Sequence, residues 1–198
     1  CSYQSGFIPQ EWKEAIVLPL FKKGDPDIPN NYRPNSLTCA LSKIMESIIR
    51  DNLLQFALST NLISQCQHGF LPNRSTSTQL LECMYDWCSA CNAVQSVDVI
   101  YVDFKKAFDS VPHNKLRCKL LLSGYCNLTV NWICDFLSNR IQRVRVNQST
   151  SSSAKVTSGV VQGSVLGPIL FALYIIDLPS SCKYVSVELY ADDVKLYV

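Results

Sequence analysis

The sequence predicts an α+β fold, and three observations carry that expectation. Strand-like and helix-like segments follow one another irregularly, without the regular βα alternation of a doubly wound sheet. Two long stretches, 38–58 and 77–93, carry apolar residues at helical spacing. Two β-rich regions meet carboxylates: the run 97–103 ends at Asp103, and the runs 184–189 and 194–198 enclose Tyr190-Ala191-Asp192-Asp193.

Taken in order, 15–20 is a short apolar strand that runs into the basic turn Phe21-Lys22-Lys23-Gly24-Asp25-Pro26. A loop rich in proline and asparagine follows to Pro34. Leu41, Ile44, Met45, Ile48, Ile49, Leu53 and Phe56 form one stripe of the first helix, with Thr38 or Ser42 available as its cap. Leu80, Leu81, Met84, Tyr85 and Trp87 mark the second helix, and both stripes read as core. The uninterrupted apolar residues 99–102 predict a central strand buried on both faces. Helices are expected over 115–122 and 128–137, the latter burying Trp132, Ile133 and Phe136. Residues 140–147 alternate, with Val144 and Val146 on one face and Arg143 and Arg145 on the other. A serine-rich turn leads to a strand at 154–157, and 165–176 reads as a buried helix with Pro168 in its first turn.

Composition narrows the function classes. An apolar fraction of 47% against 17% charged residues excludes a disordered chain. The net charge of +2 means that any nucleic-acid footprint is local. The longest apolar stretch falls well short of the roughly 20 residues that span a bilayer, so no membrane partner is expected. The ten cysteines are scattered through apolar segments, as reduced thiols of an intracellular protein are. Cys88-Ser89-Ala90-Cys91 stands alone, without the second pair or spaced histidines of a zinc site.

The chemistry lies in the carboxylates. Asp192 and Asp193 stand at the tip of an expected hairpin, where like charges repel and raise one another's proton affinity. A hard divalent cation removes that cost. If the strand ending at Asp103 pairs with this hairpin, Asp103 and Asp192 face each other across adjacent strands. They can then hold two ions about 4 Å apart, as in-line displacement at phosphorus requires. Taken singly, each of these aspartates is also compatible with a strand end or a polar turn.

Five segments in order sharpen this reading: Asn31-Tyr32-Arg33-Pro34-Asn35-Ser36-Leu37, Gln67-His68-Gly69-Phe70, Asp103-Phe104-Lys105-Lys106-Ala107-Phe108-Asp109, Gly159-Val160-Val161-Gln162-Gly163-Ser164 and Tyr190-Ala191-Asp192-Asp193. The last three resemble motifs A, B and C of reverse transcriptases, and the first two their upstream finger motifs. The chain is most similar to non-LTR (LINE-type) retrotransposon enzymes of the jockey and CR1 kind.

The resemblance implies a right-hand polymerase, with fingers over 1–95 and palm over 96–198, the region 115–157 being shared. The chain stops just after motif C, so the thumb is expected to be absent. The implied activity is RNA-directed DNA polymerisation with Mg²⁺ or Mn²⁺, taking dNTPs and an RNA template with a DNA primer. An endonuclease would be linked in the full-length element, and the nucleus and cytoplasm would be its places of work.

By the same resemblance Asp103, Asp192, Asp193 and the backbone carbonyl of Phe104 serve the metals. Phe108 excludes a 2′-hydroxyl, and Asp109 is structural. Lys22, Arg33, Gln162 and Gly163 surround the nucleotide, Gly163 by letting the backbone approach it closely. Arg143 and Arg145 are candidates for the template–primer backbone. Unaided, Lys22-Lys23 reads as a solvated turn and Phe108 as core.

Three positions depart from the pattern: Val161 stands for a proline, Asn35 for an apolar residue, and Leu71 for a basic one. A catalytically inactive relic, acting at most as a nucleic-acid-binding module, is the alternative. Another palm-type nucleotidyl transferase or cyclase would share the carboxylates but not Gln162-Gly163-Ser164.

Overall fold

A computed structural model describes residues 2–198. In chain order the elements are α1 (Ser2–Ser5), β1 (Glu14–Phe21), β2 (Tyr32–Thr38), α2 (Ala40–Ser59), α3 (Thr76–Asn92), β3 (Val99–Asp103), α4 (His113–Leu122), α5 (Asn127–Leu137), β4 (Arg140–Val146), β5 (Ser149–Thr150), β6 (Ala154–Val156), α6 (Gly167–Tyr174), α7 (Leu178–Ser181), β7 (Ser186–Tyr190) and β8 (Asp193–Tyr197). The fold is α+β, as the irregular mixture of segments predicts. Among the described residues no helix is long and apolar enough to cross a membrane.

The strands form two sheets. In the first, β1 and β2 make an antiparallel hairpin, and β4 joins β1 in parallel with Glu14 opposite Ile141. Strands β5 and β6 both pair with β4. The second sheet has the order β3-β8-β7, antiparallel throughout. The main core is built largely from helices. Leu53 of α2, Leu116 and Leu120 of α4, Trp132 and Phe136 of α5, and Leu170 of α6 are buried together. Helix α6 buries every residue from Ile169 to Leu173, as a helix apolar on all sides must. A smaller cluster of Val187, Leu189 and Val194 lies under the second sheet.

Three expectations about burial are corrected. Strand β3 is an edge strand, so Ile100 and Tyr101 remain 61% and 67% exposed instead of lying in a two-sided core. The stripe of α2 is also displaced. Leu41, Ile44 and Ile48 are exposed, and the buried line runs through Ser42, Glu46, Ile49, Leu53 and Ala57. Helix α3 buries Gln79 and Cys83 and exposes Leu80, Leu81, Met84 and Tyr85. Its partner surface is polar: Lys195 donates to Gln79 Oε1 at 2.7 Å, and Tyr197 donates to Asp86 Oδ2 at 2.7 Å.

The caps differ too. Cys39 precedes α2 without a side-chain cap, and Ser42 donates to Glu46 Oε1 at 2.9 Å. Ser75 caps α3 in a reciprocal box with Thr78.

Glu46 explains why a polar line is buried on α2. Its Oε2 accepts from the backbone N–H groups of Val165 at 2.8 Å and Leu166 at 3.2 Å, just ahead of α6. A carboxylate at this position satisfies free donors and favours the positive end of the helix. Glu46→Gln turns one acceptor into a donor against buried N–H groups. Such a loss costs about 2–4 kcal/mol, whereas Ser42→Ala removes one hydrogen bond and costs about 1 kcal/mol. Urea unfolding of both variants reads the difference, and equal costs would contradict the capping role.

Candidate active site

The second sheet presents its carboxylates at one end. Tyr190 and Asp193 are paired in register, so the turn between β7 and β8 consists of Ala191 and Asp192. Ala191 adopts φ 58°, the left-handed region that tight hairpin turns demand and that normally favours glycine. The segment at 66–69 holds this strained turn. Gln67 Oε1 accepts from Gly69 N at 2.8 Å and from Ala191 N at 3.2 Å. His68 N donates to Leu189 O, and Leu189 N to Cys66 O, both at 2.8 Å. Gly69 is pressed so closely on the turn that a Cβ there would lie 2.2 Å from Ala191 N. Gln67 has no role in the expectation from sequence, although it stands inside a recognised motif.

Asp103 lies at the end of β3, directly opposite Asp193 on β8. The expected facing pair was Asp103 and Asp192; the two-residue turn takes Asp192 out of the ladder and leaves Asp193 as its first paired residue. The three carboxylates nevertheless share one field. Burial holds the Asp192 pKa above its usual value, and repulsion from Asp193 and Asp103 adds to that. A hydrogen bond to its own backbone and the charge of Arg33 act in the opposite direction. Arg33, exposed on β2, is thus within electrostatic reach of the cluster. Lys22 is exposed where the β1–β2 hairpin opens, its N–H donating to Asn31 O at 2.9 Å.

Backbone contacts join the Asp103–Asp109 segment to the Gly159–Ser164 segment. Val160 N donates to Phe108 O at 2.8 Å, and Gly159 N to Val111 O at 2.9 Å. Gln162 Nε2 donates to Asp109 Oδ1 at 2.9 Å, which gives Asp109 the structural part expected of it. The backbone of Gln162 continues to the first sheet, where its carbonyl accepts from Ser36 N at 2.9 Å. Gly163 has φ 98°, and a Cβ there would stand 2.5 Å from Ser36 O. Its backbone therefore packs closely on β2. Phe108 is half-buried, stacked on Phe171 at 4.5 Å and edge-on to Phe70 at 5.9 Å.

Arg143 and Arg145 are exposed on β4, as are Val144 and Val146 on the other face, so this end of the strand is covered on neither side. The three departures find local explanations. Val161 O accepts from both N and Oγ of Ser164, closing the turn without a proline. Asn35 Oδ1 lies against Gly163, and Leu71 is buried. Arg74 is committed to the carbonyls of Gln65 and Gln67.

Residues 21–198 match the family model described as reverse transcriptase (RNA-dependent DNA polymerase). The chain is 32% identical over 96% of its length to a probable RNA-directed DNA polymerase from transposon BS of Drosophila melanogaster. It is 33% identical over 95% of its length to the RNA-directed DNA polymerase from mobile element jockey of the same organism. It spans 22% and 21% of those two proteins. Among solved structures, apo telomerase from Candida tropicalis superposes with a TM-score of 0.68 at 12% identity, covering 97% of this chain and 45% of that one. The last likeness shows the fold; the matches in sequence show the lineage. The chain belongs to the reverse transcriptase (RNA-dependent DNA polymerase) family, and its relatives there include the enzymes of jockey and BS retrotransposons.

Proposed function

We propose that this chain forms the fingers and palm of an RNA-directed DNA polymerase, which adds dNTPs to a primer 3′-hydroxyl on an RNA template. The observation that carries the proposal is the register that sets Asp103 on β3 opposite Asp193, the residue that follows Asp192 out of the β7–β8 turn. On this reading residues 1–95 are fingers and 96–198 palm, with 115–157 shared between them. The endonuclease of a complete element would be joined elsewhere in the same polypeptide, and the work would be done in the nucleus and cytoplasm.

The residues present suit a divalent cation. Asp192 resists ionisation because it is partly buried beside the carboxylates of Asp193 and Asp103, an environment that Mg²⁺ or Mn²⁺ would relieve. Asp103 and Asp192 would be the main ligands, with Asp193 and the Phe104 carbonyl in support. Bound there, the metal supplies charge that acidifies the primer hydroxyl and steadies the triphosphate.

The chain itself provides position. In the reaction a bond forms between the primer oxygen and the α-phosphorus as the bond to pyrophosphate breaks, so alignment and charge do most of the work. Arg33 would fork onto phosphate oxygens, and Lys22 would act as a point charge beside it. Phe108, braced by Phe70 and Phe171, would form a wall against a ribose 2′-hydroxyl. Gln162 and Gly163 would hold the nucleotide side of the pocket indirectly, through Asp109 and β2. Arg143 and Arg145 would meet the template–primer backbone, with salt-sensitive binding as the consequence.

Asp192→Asn separates stability from function. It lowers Mg²⁺-dependent primer extension by about a thousandfold or more, on the scale of losing a principal charge-stabilising group. Without metal it raises Tm by about 2 °C at neutral pH. The sign follows from the raised pKa: ionised Asp192 costs stability above that pKa, and the cost fades as pH falls through it. The gain of the asparagine variant therefore shrinks in acid. Extension at the normal rate, or a gain that grows in acid, contradicts the account. Phe108→Val tests the wall: the preference for dNTP over rNTP narrows about tenfold or more, an effect of roughly 1.4 kcal/mol. An unchanged ratio in competition assays assigns Phe108 to the core alone.

A further inference from the structure

His68, Glu82 and Glu188 meet away from the cluster just described. One ligand atom from each lies within 4.8 Å of the others. They come from three separate parts of the chain: the segment beside β7, helix α3, and strand β7 itself. His68 is 1% exposed and Glu188 8% exposed, whereas the Glu82 side chain is half open to solvent. His68 Nε2 lies 3.3 Å from Glu82 Oε2 and 3.3 Å from Glu188 Oε2. Despite that proximity, neither His68 Nε2 nor Glu188 Oε2 makes a hydrogen bond.

The tautomer of His68 follows from its other nitrogen. Nδ1 is 2.9 Å from Thr78 Oγ1. That hydroxyl gives its single proton to Ser75 O at 2.8 Å and accepts from Ser75 N at 2.9 Å. With that proton on Ser75 O, Nδ1 is the donor, and in the neutral ring Nε2 carries a lone pair. With Glu82 and Glu188 ionised, three acceptors point at one another with no donor between them. An imidazole oriented through its second nitrogen, with its lone pair beside two carboxylate oxygens, is the arrangement of a metal-binding histidine.

Nearby cations do not fill the gap. Lys195 Nζ is held by Gln79 Oε1 at 2.7 Å, and Arg74 is turned to the Gln65 and Gln67 carbonyls. Asp86, whose charge also bears on Glu188, is bonded to Tyr197. Burial, with Glu82 and Asp86 adding repulsion, pushes the Glu188 pKa up to about 7.

We propose that His68, Glu82 and Glu188 bind a divalent transition-metal ion, Zn²⁺ by preference, as a structural site distinct from the Asp103–Asp192–Asp193 cluster. Ligand type supports the choice, since imidazole with carboxylates suits zinc better than magnesium. Size supports it too. Zinc bonds of about 2.0–2.1 Å in a tetrahedron set neighbouring ligand atoms about 3.3 Å apart, the separation His68 Nε2 keeps from both carboxylates. The open side at Glu82 admits water as a fourth ligand. The ion would tie α3 to β7 and to the segment that holds the Ala191-Asp192 turn.

Calorimetric titration of Zn²⁺ into the chain, in excess Mg²⁺, tests the proposal. One Zn²⁺ per chain is expected at this site. Its affinity falls tenfold or more in Glu82→Gln, a substitution at an exposed side chain that leaves folding intact, and likewise in His68→Gln. It is unchanged in Asp103→Asn. Three results overturn the proposal: no Zn²⁺ bound by the unaltered chain, equal affinity in Glu82→Gln (binding at surface cysteines), or loss of affinity in Asp103→Asn.

Discussion

The tight β7–β8 turn that carries Asp192, with Asp193 set opposite Asp103, is the constraint on which the candidate site depends. Left alone, a turn with a left-handed alanine and a partly buried carboxylate would tend to open. The surrounding structure prevents this. Gln67 spends one amide oxygen on two backbone donors, and Gly69 presses its backbone on the turn where no side chain fits. The antiparallel register of β3 on β8 then sets Asp103 against Asp193.

The same economy recurs one shell further out. Segments distant in sequence are joined by buried polar groups with satisfied partners. Glu46 holds the start of α6, Gln162 holds Asp109, and Ser36 is bonded to the Gln162 carbonyl. Broken singly, such contacts cost more than a surface ion pair, because the abandoned partner stays buried. They also couple the two sheets: β2 touches the Gln162-Gly163 turn, that turn touches the tail of the Asp103 strand, and Arg33 on β2 acts on Asp192.

Much of this is legible in the residues themselves. The hairpin around Asp192, the strand ending at Asp103, the helices over 115–122 and 128–137, and the buried character of 165–176 follow from periodicity and turn chemistry. Periodicity fails where tertiary partners are polar or missing. Leu80 and Met84 repeat like core residues, yet α3 buries Gln79 and Cys83, because β8 offers it the polar partners Lys195 and Tyr197. Ile100 and Tyr101 read as a central strand, but only pairing partners decide which strand is central, and β3 is at the edge. At the site, the three aspartates were visible as residue types at strand ends. Gln67 was not, because an amide that props a turn more than a hundred residues away leaves no local pattern.

The central claim is that Asp103, Asp192 and Asp193 act together as a receptor for divalent metal beside the bound nucleotide. Anomalous diffraction from crystals of the chain grown with Mn²⁺ and a non-reactive dNTP analogue tests it most directly. The account predicts manganese peaks in contact with Asp103 and Asp192 and with the triphosphate. Nucleotide bound elsewhere, or manganese ordered only away from these carboxylates, would contradict it.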